Sequence, residues 1–268
     1  MSIQRTKHLK KRISENVHFA QKHLLLQIIN IFKEMENQKK QSVRIQTSLL
    51  NGVEKKALLW LAQRQPRWVD SDMLTYIGHV GALVIAAGYI LTGQNINFLW
   101  LASLGFVINW YGDSLDGTLA RFRNQQRPVY GFYLDHTIDA VNEAVMFMGV
   151  GLSPFMNFNL SCILLVVYLM LTLNVSLNAH LRGEFKLTYA KLGPTEFRLI
   201  CIIANTVMVF AKPLQTFSCE VTLLSTTLTL HVLDIVGIAI LIVLLVIYAV
   251  TIFNDARHYA KIDPKHKK

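Results

Sequence analysis

The chain has 268 residues, 52% of them hydrophobic and only 16% charged, with a formal net charge of +10. Ordinary soluble domains carry about 25% charged residues, so this balance excludes a typical water-soluble enzyme and predicts one membrane-embedded bundle rather than a string of domains. The basic excess crowds the first seventy residues and the last dozen; flanking so apolar a centre, it suits anionic lipid headgroups, at about 1 kcal/mol per surface Lys or Arg, better than nucleic acid.

In chain order, the N-terminal stretch MSIQRTKHLKKRISENVHFAQ is too polar for a cleavable signal peptide. Leu9, Ile13, Leu24, Ile28, Ile31 and Met35 recur at helical spacing among Lys, Gln and Glu. That pattern predicts helix within residues 1–70, either lying on the cytoplasmic membrane surface or packed as a soluble hairpin on the cytoplasmic loops. Pro66 ends this region. A spanning helix needs roughly 20 mostly apolar residues. Six segments qualify: about 73–92, 97–120, 134–152, 158–177, 197–211 and 232–252. Backbone polar groups in hydrocarbon must be paired within the protein, so these are helices despite their β-branched content.

The loops after the first and third segments lack Lys and Arg, and the loop after the fifth has only Lys212. The second loop holds Arg121, Arg123 and Arg127; the fourth holds Arg182, Lys186, Lys191 and Arg198; the tail holds Arg257, Lys261, Lys265, Lys267 and Lys268. This alternation satisfies the positive-inside rule for a multi-pass protein with both termini cytoplasmic. The expected fold is an all-α polytopic bundle of six transmembrane helices over 71–255, with a cytoplasmic or interfacial helical region over 1–70 and a basic tail over 256–268. Cys162, Cys201 and Cys219 share no CxxC spacing, which argues against a disulfide framework or a zinc site.

Residues 113–139 read DSLDGTLARFRNQQRPVYGFYLDHTID. Asp116 and Asp135 are equidistant from the midpoint between Gln125 and Gln126, and Asp113 and Asp139 from Gln126. In an antiparallel helical hairpin the inner pair meets at one depth and the outer pair one turn deeper. The i, i+3 and i, i+4 spacings put each helix's acids on one face. Carboxylates converging there repel, and each costs a few kcal/mol to hold near the bilayer; Arg121 alone cannot balance them. Divalent cations can, and hard oxygen ligands select Mg²⁺, Mn²⁺ or Ca²⁺. A pair of such ions is the usual device for moving a phosphoryl group. The small residues Gly117 and Ala120 leave room for a ligand or for close helix approach.

The pattern Asp113-x2-Asp116-Gly117-x2-Ala120-Arg121-x9-Gly131-x3-Asp135-x3-Asp139 resembles the signature of the CDP-alcohol phosphotransferase family, also called CDP-alcohol phosphatidyltransferases. The resemblance covers roughly residues 70–252, and the gap after Arg121 is one residue longer than the family's usual spacing. It implies a six-span enzyme of phospholipid biosynthesis, in the bacterial inner membrane or endoplasmic reticulum, with a cytoplasmic active site. Such an enzyme moves a phosphatidyl or other phospho-alcohol group from a CDP-linked donor such as CDP-diacylglycerol to a polar hydroxyl acceptor and releases CMP. The resemblance also implies a homodimer. It assigns Asp113, Asp116, Asp135 and Asp139 to two Mg²⁺ or Mn²⁺ ions, with Asp139 also the general base. Asp113, Asp116, Gly117, Ala120, Arg121 and Gly131 would hold the donor, joined by Thr75, which stands where the family's Pro-Asn-x-x-Thr ends.

Other residues keep two readings. His136 echoes an Asp-His step of choline and ethanolamine phosphotransferases and is either catalytic or a lipid-facing neighbour of the site. Arg182, Lys186, Lys191 and Arg198 either bind a phosphate on the acceptor or only satisfy the charge bias. Glu143 pairs with the site or with Arg121, Asn109 lies one turn before Asp113, and His79 is expected to be packed. Two other classes compete: a UbiA-type prenyltransferase, which would need a second Asp-rich motif that only isolated Asp234, Asp255 and Asp263 could supply, and a cation transporter, whose acids would sit nearer mid-bilayer on broken helices.

Overall fold

The computed structural model describes residues 43–45, 50–182, 184–186, 193–223 and 226–264. The chain divides into two compact units, 1–43 and 44–268. The apolar pattern from Leu9 to Met35 lies outside the described residues. In the second unit, α1 (Asn51–Arg64) precedes α2 (Ser71–Leu91), α3 (Phe98–Phe122), α4 (Pro128–Gly151), α5 (Phe158–Arg182), α6 (Pro194–Phe210), the short α7 (Lys212–Gln215) and α8 (Val232–Ile262). By length and composition, α2, α5 as far as Ala179, and α8 are apolar enough to cross a membrane. The acids of α3 and α4 interrupt their apolar runs, and α6 has only 17 residues.

The α2–α3 pair forms the centre, and glycine lets it do so. A Cβ added to Gly112 would run into the backbone of Gly78 and Leu74, and one added to Gly81 into the backbone of Asn109. With lipid tails as apolar as Leu, close backbone approach is the main gain on helix association. Leu58 and Ala62 of α1 bury against Leu74 of α2 and Leu115 and Leu119 of α3. A second cluster joins Ile85 and Tyr89 of α2 to Leu99, Ala102 and Phe106 of α3 and Met208 of α6. Within it the Tyr89 hydroxyl donates to Asn205 Oδ1 at 2.9 Å, and Asn205 Nδ2 donates to Ser103 Oγ at 3.2 Å. Buried polar groups on three helices thus satisfy one another.

Helix α4 begins at Pro128, six residues ahead of the apolar run that starts at 134. Proline suits a first helical turn because its missing N–H would be unpaired there anyway. The α3–α4 turn is tight, with Asn124 at φ 55, a left-handed conformation that Asn tolerates. Helix α8 runs to Ile262, past the expected end of its apolar segment at 252, its last turns mixing charged residues with Ala256, Tyr259 and Ala260.

Strands depart from the all-helical expectation. Short strands β1 (Val43–Ile45) and β2 (Glu184–Lys186) lie outside the bundle helices. An antiparallel hairpin of β3 (Ser218–Leu223) and β4 (Thr226–His231) pairs Ser218 with His231 and Leu223 with Thr226. Its Val and Thr residues favour strand, and it leads directly into α8.

Asp234 anchors that junction. It is fully buried; Asn157 N donates to its Oδ1 at 2.6 Å and His231 N to its Oδ2 at 2.8 Å. It therefore caps α8 and ties it to the segment before α5. Asp234→Ala would strand two donors, at about 1–3 kcal/mol each. The expected outcome is a clear fall in the unfolding temperature of purified protein in detergent.

Candidate active site

Helices α3 and α4 both pack on α2 and touch each other little, yet three of their acids converge. Asp113, Asp135 and Asp139 each place a carboxylate oxygen within 4.8 Å of the others. All are partly buried. Asp116 is treated differently. It is buried, its Oδ2 accepts from the Thr75 hydroxyl at 2.7 Å, and its Oδ1 accepts from Gly117 N. Ser71 Oγ also donates to the Asp116 carbonyl at 3.0 Å, so the first turn of α2 holds Asp116 from both its ends. Thr75, expected at the donor, is thus a direct partner of a motif acid.

A cation enters from α6. Arg198 Nη2 donates to Asp113 Oδ2 at 2.6 Å, and its Nε donates to Asn109 Oδ1 at 2.9 Å. Asn109 is held in turn, donating from Nδ2 to Gly78 O at 2.9 Å. Of the four basic residues expected to meet the acceptor, Arg198 reaches the acids. Arg182 ends α5 and Lys186 ends β2, their side chains lying outside the described residues, as does the whole of Lys191.

Arg121 is exposed, and its Nη2 donates to Thr118 Oγ1 at 3.2 Å. Gly117 faces that guanidinium: an added Cβ would lie 3.2 Å from Arg121 Nη1. Ala120 sits one turn on, partly exposed. Gly131 is exposed, and an added Cβ would meet nothing within 4 Å. His136 Nδ1 donates to Phe132 O at 3.0 Å and stands 3.8 Å from Asp135 Oδ2, its ring stacked on Phe132 at 4.0 Å between centroids. Glu143 continues the face of Asp139 by one turn, and its Oε2 is buried without a hydrogen-bond partner among the described residues. His79 hydrogen-bonds Asn142 at 2.7 Å, linking α2 to α4. At the rim, Arg127 pairs with Asp72 of α2, and Arg123 donates to the carbonyls of Val69, Gln65 and Pro66.

The CDP-alcohol phosphatidyltransferase family matches residues 68–253 of this chain. The chain belongs to that family. Among curated relatives, it is similar to the phosphatidylinositol phosphate synthase of Cutibacterium acnes, 36% identical over 84 residues. That match spans 31% of this chain and 38% of the relative.

The donor set fits the divalent cations that this family generally uses. Carboxylates are hard ligands, three of them converge, and one guanidinium leaves the group net negative before Asp116 is added. The sequence had placed all four acids together; the side chains gather three and turn the fourth to Thr75. What it did not signal was the Arg198–Asn109–Asp113 chain, because the residues lie up to 89 positions apart.

Proposed function

We propose that this protein transfers a phosphatidyl group from CDP-diacylglycerol to the hydroxyl of a phosphate-bearing polyol, with inositol phosphate the first candidate, and releases CMP. The observation that carries the reading is the meeting of Asp113, Asp135 and Asp139 at the motif positions. In this reading α2, α3, α4, α5, α6 and α8 are the six spans, with both termini and the acids on the cytoplasmic side. The loop charges support that orientation. At 17 residues, α6 is about 26 Å long, at the lower limit for a span. Homodimer formation enters through the family resemblance alone.

Asp113, Asp135 and Asp139 would hold Mg²⁺ or Mn²⁺, joined by Asp116 on release from Thr75. When bound, the ions neutralise the pyrophosphate of the donor. Asp139 takes the proton from the acceptor hydroxyl. The acceptor oxygen bonds to the phosphorus next to the lipid alcohol, the bond from that phosphorus to the bridging oxygen breaks, and CMP leaves with the electron pair. Gly131 leaves the surface open, and Gly117, beside the Arg121 guanidinium, and Ala120 would lie against cytidine and ribose. Arg198 is the described cation nearest the acids that could meet an acceptor phosphate; the name of the Cutibacterium relative supports an acceptor of that kind.

The test is CMP release from CDP-diacylglycerol by purified protein, with Mg²⁺ or Mn²⁺ and a panel of acceptors. Release is expected only with both cation and acceptor, lost with EDTA and restored by excess Mg²⁺. A panel in which no acceptor supports release would sink the reading. The family match favours neither the prenyltransferase nor the transporter alternative.

A further inference from the structure

The position of Arg198 raises a question that the transfer reaction alone does not answer. Arg198, proposed above for the acceptor, donates from Nη2 to Oδ2 of the motif acid Asp113 at 2.6 Å and from Nε to Oδ1 of its neighbour Asn109 at 2.9 Å. Both side chains of the ion pair are largely shielded, at 15% and 22% exposure. A guanidinium and a divalent cation compete for the same carboxylate charge. The pair is also held from behind, since Asn109 is 2% exposed and fixed to Gly78 O.

We propose that Arg198 is a displaceable counter-ion: it occupies Asp113 while the site lacks its divalent cation, and is released toward the acceptor's phosphate when the cation takes Asp113. The proposal deepens the transferase reading and rests on it for the identity of the acceptor. Its consequence is an order of binding. Cation and CDP-linked donor load first, and only then is the guanidinium free for the second substrate. An acceptor arriving early meets an arginine already engaged.

The competing arrangement is a fixed partner, in which Arg198 stays on Asp113 and orients it for the metal. The two differ in sign. Removing an orienting partner typically weakens metal affinity about 10–100-fold, whereas removing a competitor strengthens it. The experiment is a Mn²⁺ titration of the purified full chain, read as loss of the free-ion electron paramagnetic resonance signal, with no substrate present. Arg198→Gln is expected to tighten Mn²⁺ binding by about tenfold. Arg198→Lys keeps the charge but loses the two-point hold, and is expected to tighten it by about threefold; a purely through-space effect of charge would leave it unchanged. In steady state, Arg198→Gln should raise KM for a phosphorylated acceptor while leaving KM for CDP-diacylglycerol within about twofold. These margins are set by the tenfold-per-1.4 kcal/mol scale.

Weaker or unchanged Mn²⁺ binding in both variants would overturn the exchange, as would an unchanged acceptor KM in Arg198→Gln. Because the titration involves no turnover, it stands apart from the transferase reading, which fails instead on absent CMP release by the wild type. Should Arg198→Gln fail to give a monodisperse protein, Arg198→Lys decides the sign alone.

Discussion

Asp139→Asn is expected to lower CMP release by about 10²–10⁴-fold, the usual contribution of a positioned general base, with helical content and cytidine nucleotide binding retained. Asn keeps the shape of the side chain and one oxygen toward its neighbours, but it cannot take a proton. Asp139 suits the base role by position: it is the acid of the converging three farthest along α4 from the turn, and Glu143 follows it on the same face. Circular dichroism, nucleotide binding in the presence of Mg²⁺ and CMP release are measured on the same preparation. Asp135→Asn is the comparison, expected to lose nucleotide binding and turnover together. Wild-type turnover in Asp139→Asn removes the residue from the base role, and loss of nucleotide binding in step with turnover makes it a ligand only.

That α3 and α4 would bring acids together was legible in the sequence, because the spacing of the motif is local. The acids lie symmetrically about Gln125 and Gln126. Yet the group that converges is Asp113, Asp135 and Asp139, without Asp116 of the expected inner pair, because both helices pack on α2 rather than along each other. The fate of Asp116 was not legible. It depends on Thr75, 41 residues away, and on how closely the glycines let α2 approach α3. Arg198 was named for its charge and side of the membrane, yet its partners depend on packing between α3 and α6 that no periodicity encodes. The role of Asp234 was not legible either. It is a buried helix cap that accepts from two backbone N–H groups and lies 3.3 Å from His231 Nδ1, partners that hydropathy and motif spacing do not reveal. The β3–β4 hairpin escaped because hydropathy windows built for spans pass over short alternating segments rich in Thr.

Two glycines of this region separate folding from ligand binding by opposite outcomes. Gly112→Val is expected to prevent assembly: even its first added carbon would meet Gly78 N, Leu74 O and Gly78 Cα, all backbone atoms that cannot rotate away. Overpacking where side chains can yield costs about 1–3 kcal/mol; here α2 and α3 must part, so the top of that range or more applies. Parting them also breaks the Thr75–Asp116 and Asn109–Gly78 hydrogen bonds. The readout is loss of the monodisperse peak on gel filtration in detergent. Gly131→Ala runs the other way. Its Cβ has nothing within 4 Å, so the fold accepts it, and replacing Gly within α4 raises helix propensity by up to about 1 kcal/mol. Gly131→Ala is therefore expected to unfold at the same temperature or slightly higher. If the donor lies against Gly131, KM for CDP-diacylglycerol rises by about tenfold, the equivalent of a 1.4 kcal/mol clash. A destabilised Gly131→Ala would mean the glycine serves α4 itself, and a stable variant with unchanged KM would move the nucleotide away from the start of that helix.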